Sequence, residues 1–286
     1  MSVVPWDENA TVEKMSAYVR QITQNIPWVE MIMFHELAAP GVMQFDRPPE
    51  GDTQKLYQPI PGPLSDRLCS LAKRERRWLL PGSLYEKEGE HLYNTAIVIS
   101  PNGDIVVKYR KLFPWCPFED EISAGDAFGV FEIPEVGKFG LSICYDMWFP
   151  ETVRALVWSG AEVILHPTLT TSADRELELV LSQAHAITNQ CYFIDINGVG
   201  PWGGGSSQLV DPDGRVLQRA AGHETVLVEM LDLDKVSRTR KFGTLGLTQS
   251  LKQLRDSEVG FPQHGGKLTR SEPLAALGRV ELGKLR

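Results

Sequence analysis

No apolar run in the chain approaches the roughly 18 residues that a bilayer-spanning helix needs. Basic charge is not in excess either: 29 Lys and Arg stand against 37 Asp and Glu, a formal net charge of −8. That balance excludes nucleic acid and a membrane surface as expected partners. Cysteine is sparse and scattered. Cys69, Cys116, Cys144 and Cys191 form no CxxC pair, which argues against a disulfide scaffold or a zinc site and for a reducing cytoplasm. Residues Met1 to Lys14 mix acids with proline and lack the charged-then-apolar form of a signal peptide. What is left is the profile of an intracellular globular protein with ample apolar content for a large core.

The chain alternates helical and strand patterns. Asn9 to Asn25 carries Val12, Met15, Val19 and Ile22 at helical spacing, and Pro63 to Arg76 does the same with Leu64, Leu68, Leu71 and Ala72. Strands are expected at Met31–Phe34, Trp78–Leu84, Tyr93–Ser100, Ile105–Tyr109, Phe139–Cys144, Ala161–Leu165 and Cys191–Ile196, with helices at Pro150–Ser159 and Arg175–Thr188. Pro101-Asn102-Gly103-Asp104 and Asp211-Pro212-Asp213-Gly214 are hairpin signals, the second joining Ser206–Val210 to Gly214–Arg219. An α/β fold with mixed sheets follows. The pattern weakens beyond Asp234, so the chain divides into a domain over 1–235 and a C-terminal extension over 236–286 that suits a partner-wrapping arm.

Three polar residues follow apolar strands: Glu36, Lys111 and Cys144. Strand ends gather at one rim of a sheet, where α/β folds place ligands. Each has an ordinary reading as a capping carboxylate, a charged strand end or a buried structural thiol. Together they have a chemical one. A thiolate attacks an electrophilic carbon, a carboxylate moves the proton and later activates water, and a cation stabilises the oxyanion. The turn after Cys144 leads towards a helix, whose N-terminal field favours a thiolate.

The sequence around these residues, Phe34-His35-Glu36-Leu37, Lys108-Tyr109-Arg110-Lys111-Leu112 and Gly140-Leu141-Ser142-Ile143-Cys144-Tyr145-Asp146, resembles the three motif blocks of the nitrilase superfamily, the carbon–nitrogen hydrolases. Phe149-Pro150-Glu151, Asn189-Gln190-Cys191-Tyr192 and Gly204-Gly205-Ser206-Ser207 are similar to its later blocks. The resemblance implies an αββα four-layer sandwich, with Glu36, Lys111 and Cys144 as catalytic residues. It also implies that the family's first strand precedes Met1, with only Ser2-Val3-Val4 left of it. Trp115-Cys116-Pro117-Phe118-Glu119 resembles the aliphatic amidase and formamidase branch, whose glutamate is a fourth catalytic residue; Glu119 fills that position. Cys116, between Trp115 and Pro117, is expected to serve packing. Asp120-Glu121-Ile122 and Cys144-Tyr145-Asp146 depart from that branch and leave the substrate open.

The implied reaction is hydrolysis of a small amide to acid and ammonia through a Cys144 thioester. The oxyanion would rest against Lys111 and the backbone N–H of Tyr145. Trp115, Trp148, His166 and Thr168 are expected to wall the pocket. No metal or organic cofactor is called for, and the resemblance implies a homodimer or higher homo-oligomer. An N-carbamoyl-amine hydrolase, a nitrilase and a non-catalytic binding protein on the same fold stay open at this point.

Overall fold

The computed structural model describes residues 1–42, 56–116, 118–200 and 203–260. Helices α1 (Glu8–Asn25) and α2 (Pro63–Glu75) cover a five-stranded sheet of β1 (Met31–Met33), β2 (Trp78–Leu80), β3 (Ser83–Glu88), β4 (His91–Ile99) and β5 (Ile105–Arg110). A six-stranded sheet follows, with order β13-β12-β9-β8-β7-β6. Its strands are β6 (Gly129–Ile133), β7 (Gly137–Leu141), β8 (Val163–Thr168), β9 (Tyr192–Asn197), β12 (Gln208–Val210) and β13 (Val216–Arg219), with a small ribbon of β10 (Val199–Gly200) and β11 (Gly203–Gly204) beside it. Helices α3 (Pro150–Trp158) and α4 (Asp174–Asn189) cover its outer face.

Three cores define the layers. Val12, Met15 and Val19 of α1 and Leu64, Leu68 and Leu71 of α2 pack on Ile32, Leu79 and Ile97. Between the sheets lie Val98, Tyr109, Phe139, Leu165 and Ile194. Outside the second sheet, Val153 and Leu156 of α3 meet Ile164 and Phe193. This is the expected αββα sandwich. Strands β8 and β9, which pair in parallel, are buried almost throughout and each opens on a short apolar run, as central parallel strands do.

Local chemistry fixes the ends. Asp7 caps α1 by accepting the Ala10 N–H at 2.9 Å. The single strand expected over Trp78–Leu84 is two strands, because Gly82 sits at φ +87° against the His35 carbonyl. A Cβ there would lie 1.7 Å from that oxygen, so only glycine permits the approach beside Glu36. Two features escaped the sequence patterns. One is the β6–β7 hairpin, turned at Glu135 with φ +63° and without a glycine or Asn-Gly signal at that residue. The other is helix α5 (Leu233–Phe242), which runs across residue 235; its Val236 is fully buried in the inter-sheet core. Helix α6 (Ser250–Arg255) then lies against α4 of the same chain, with Leu251 partly buried there. Residues 261–286 of the expected arm lie outside the described residues. Ser2 to Val4, the expected strand remnant, have no strand pairing.

Candidate active site

Lys111 directly follows β5, Glu36 lies three residues beyond β1, and Cys144 lies three residues beyond β7. Their strands end at one rim, and the three side chains meet in a buried cluster. Lys111 Nζ is 3.2 Å from Glu36 Oε1 and 2.7 Å from Glu119 Oε2. The Cys144 thiol is close enough to Glu36 and Lys111 for both charges to act on it. Lys111 and Glu36 are only 2% and 3% exposed, so the charges interact in a low-dielectric setting.

One residue organises the carboxylates and had no sequence signal. Asn94, fully buried on β4, donates through Nδ2 to Glu36 Oε1 at 2.8 Å and to Glu119 Oε1 at 3.3 Å. Its backbone carbonyl accepts the Lys111 N–H at 2.9 Å. An asparagine in a strand pattern looks like any polar alternation, so only the fold reveals that it links all three.

The two carboxyls are driven apart. Burial pushes the Glu36 carboxyl above the usual carboxylate range, more than Lys111 can offset, and the Glu119 charge adds to the rise. Burial also opposes charge on Glu119, but Lys111 and the Trp115 N–H, 2.6 Å from Oε2, outweigh it and hold it low. Burial penalises the Lys111 ammonium too, yet Glu119 and Glu36 keep it charged well above its ordinary value. Such a split separates a fixed anion, Glu119, from a proton-exchanging group, Glu36.

Cys144 sits on a strained elbow. It has φ +46° and opens a 3-10 helix, Cys144–Trp148, before Phe149 leads into α3. A non-glycine residue held there costs on the order of 1–3 kcal/mol and needs support from its surroundings. Asp146 supplies it. Its fully buried carboxylate accepts the Ile143 N–H at 2.9 Å, the Phe113 N–H at 2.9 Å and the Tyr109 hydroxyl at 2.6 Å. The elbow is thereby tied to the loop that carries Glu119.

At Cys144, burial works against the field of the turn. Burial pushes the Cys144 thiol well above its ordinary value, the Glu36 charge adds to this, and Lys111 does not compensate. The short 3-10 turn does not overcome desolvation, so the proton must leave during attack. The other expected positions divide. Tyr145 is the second residue of that turn, where N–H groups have no intrahelical acceptor. Thr168 reaches Cys144 through Thr170, its hydroxyl oxygen lying 3.1 Å from that of Thr170. Trp148 donates its indole N–H to Glu178 at 3.5 Å, and Trp115 stacks on Phe118 with ring centroids 4.4 Å apart. His166 departs from the pocket wall: strand alternation turns it with Ile164 to the helix side of β8, against Phe193 and Ser142, and burial keeps it neutral. Cys116 is exposed rather than packed.

The chain is 35% identical over 202 residues to omega-amidase NIT2 of Mus musculus, covering 64% of this chain and 71% of the relative. It is 27% identical over 217 residues to a formamidase of Bacillus cereus, covering 74% of this chain and 64% of that protein. The fold superposes with a TM-score of 0.75 on the crystal structure of a carbon-nitrogen hydrolase from Helicobacter pylori, with 24% identity over 90% of this chain and 93% of the other. The carbon-nitrogen hydrolase family model matches residues 1–241, which include the whole cluster around Cys144, and the chain belongs to that family.

Proposed function

We infer that this protein hydrolyses the C–N bond of a small amide, releasing the acid and ammonia through a thioester on Cys144. The observation that carries the reading is the convergence of the Cys144 thiol, Glu36, Lys111 and Glu119 in one buried cluster, with the two carboxyls unequal in acidity. Two relatives named for amide hydrolysis support the same reaction class.

The steps follow from the geometry. Glu36 takes the thiol proton as sulfur attacks the carbonyl carbon, so the thiolate never waits uncompensated in an apolar site. The oxyanion forms between the Lys111 ammonium and the Tyr145 N–H. Glu36 passes its proton to the leaving nitrogen, ammonia departs, and R–CO–S–Cys144 remains. The same carboxylate then deprotonates a water, which displaces sulfur and yields the acid and the free thiol. Glu119 and Asn94 hold Lys111 and Glu36 in register, and the family resemblance assigns Trp115, Trp148 and Thr168 to the substrate pocket.

An ammonia-release screen over short amides, N-carbamoyl amines and nitriles tests the class. Short amides should be turned over without carbon dioxide. Carbon dioxide alongside ammonia would replace the reading with carbamoyl hydrolysis, and nitrile turnover without free amide would replace it with nitrilase activity.

A homo-oligomer in a reducing cytoplasm completes the reading. Leu177, Val180 and Ile187 expose 53%, 63% and 42% of their surface along one side of α4, a stripe that a subunit contact would cover. All four cysteines are free, and no described helix is long and apolar enough to cross a membrane. Light scattering should return at least twice the 32.0 kDa chain mass; a monomer at micromolar concentration would refute the assembly.

A further inference from the structure

Next to Cys144 lies a second buried network that the scheme above does not use. Thr170 Oγ1 is 3.9 Å from the Cys144 sulfur and 3.1 Å from Thr168 Oγ1. It donates to Glu178 Oε1 at 2.9 Å. Glu178 Oε2 accepts from Arg175 at 3.1 Å, and Arg175 in turn grips Asp195 through two bonds of 3.1 and 2.8 Å. Glu178 is 2% exposed and Asp195 fully buried. We propose that Glu178 is a positioning residue that sets the direction of the Thr170 hydroxyl, turning its proton away from Cys144 when ionised and releasing it towards the sulfur when protonated.

The reasoning is a count of protons. Thr170 has one hydroxyl proton, and an ionised carboxylate can only accept. While Glu178 is charged, that proton is committed to Oε1, and Thr170 offers only lone pairs to Cys144 and Thr168. Thr168 then satisfies the 3.1 Å contact by donating to Thr170, so neither hydroxyl donates to a thiolate. When Glu178 takes up a proton it no longer needs the Thr170 donor. Both hydroxyls are then able to turn, and a hydrogen bond to sulfur favours its charged form. The charged groups that face Glu178 are Arg175 on its own helix and Asp195 on β9; Glu36 and Lys111 lie beyond Cys144, and His166 on β8 is neutral. Burial, reinforced by Asp195, brings the carboxyl to about 7, where it changes charge near neutral pH.

This inference rests on Cys144 as the nucleophile, so the test reads the sulfur directly. The rate of Cys144 alkylation by iodoacetamide is followed by peptide mass spectrometry from pH 5 to 10, beside ammonia release from propionamide. Because burial raises the thiol, a midpoint shift is read as the ratio of rates below the midpoint, about tenfold per unit. In Glu178→Gln, Arg175 still demands an acceptor and fixes the amide oxygen towards itself. The amide NH2 then replaces Oε1, donates to the Thr170 hydroxyl and frees its proton, while the Trp148 indole N–H, 3.5 Å from that position, loses this acceptor. The alkylation midpoint should fall by about one pH unit, tenfold more thiolate at a given pH. In a Thr170→Val background the same change should move it by clearly less, because only the direct effect of the Glu178 charge on the sulfur remains once the shared partner is removed. Thr170→Val alone, which keeps both ion pairs, should lose the inflection near neutral pH that the native profile shows. A Glu178→Gln midpoint equal to the native one, an equal shift with and without Thr170, or superimposable native and Thr170→Val profiles would each overturn the proposal. Full alkylation of Cys144 with ammonia release intact would instead remove the nucleophile assignment, and the proposal with it.

Discussion

Lys111 shows how much of the site depends on one buried charge. Its ammonium meets two carboxylates at 2.7 and 3.2 Å, and removing one partner leaves the remaining charges unbalanced in an apolar setting. Glu119 is the partner whose charge is secure. Glu119→Gln should lower amide turnover by roughly 10²-fold or more while the protein stays folded, because a positioned ionic group is lost without changing the side-chain volume. Steady-state rates and circular dichroism check this. A rate within a factor of about two of the parent would reduce Glu119 to a structural ion pair. The trio Glu36, Lys111 and Cys144 could be singled out in the sequence only through the motif blocks around them, since a polar residue after an apolar run is weak evidence alone. Asn94, Thr170 and Glu178 were not, because a single polar residue in a strand, loop or helix says nothing about what the fold brings to it.

The elbow between β7 and α3 ties those residues to the sandwich. Asp146 satisfies two backbone N–H groups and one phenol with a single carboxylate, and it is what holds Cys144 at φ +46°. Asn in its place has one acceptor oxygen for three donors. Asp146→Asn should therefore destabilise the protein by about 1–3 kcal/mol, the cost of leaving a buried donor unpaired. It should also slow alkylation of Cys144 as the elbow relaxes. Urea unfolding and alkylation rates measure the two effects; an unchanged midpoint with native alkylation would show that the elbow holds itself. Hairpins with Asn102-Gly103 and Asp213-Gly214 turns were readable because the turn chemistry is local. The β6–β7 hairpin and α5 were not. The first turns at a glutamate, and the second presents only Val236 and Thr239 to the core on an otherwise charged surface.

Considered as a whole, the protein buries several carboxyls whose acidity folding weakens. Burial raises Glu36 and Asp195 and brings Asp146 to about 6 and Glu178 to about 7. A carboxyl raised on folding favours the folded state below its unfolded pKa, and that contribution is lost as pH rises through the folded value. Asp146 and Glu178 are each worth roughly 3 kcal/mol on this basis, at 1.36 kcal/mol per unit. Glu86 and Glu119 are lowered and act in the opposite sense, stabilising above about 4.5, the ordinary glutamate range, and losing that as pH falls. Thermal stability should thus peak between about pH 4.5 and 6 and decline by pH 8, as read by melting temperature across buffers of equal ionic strength. A melting temperature that rises steadily from pH 5 to 8 would contradict the burial pattern.

The chemistry itself comes down to one sulfur. Cys116 is exposed and will react with iodoacetamide as well, so labelling alone decides nothing; what matters is which label removes activity. The measurement is loss of ammonia release from a short amide against the alkylated fraction of each cysteine-containing peptide, sampled through one inactivation course. Residual activity should fall in proportion to the unmodified fraction of Cys144, with no dependence on Cys69, Cys116 or Cys191, and Cys144→Ala should be folded and inactive. Turnover that persists with Cys144 fully alkylated, or that tracks one of the other three thiols, would contradict the thioester mechanism.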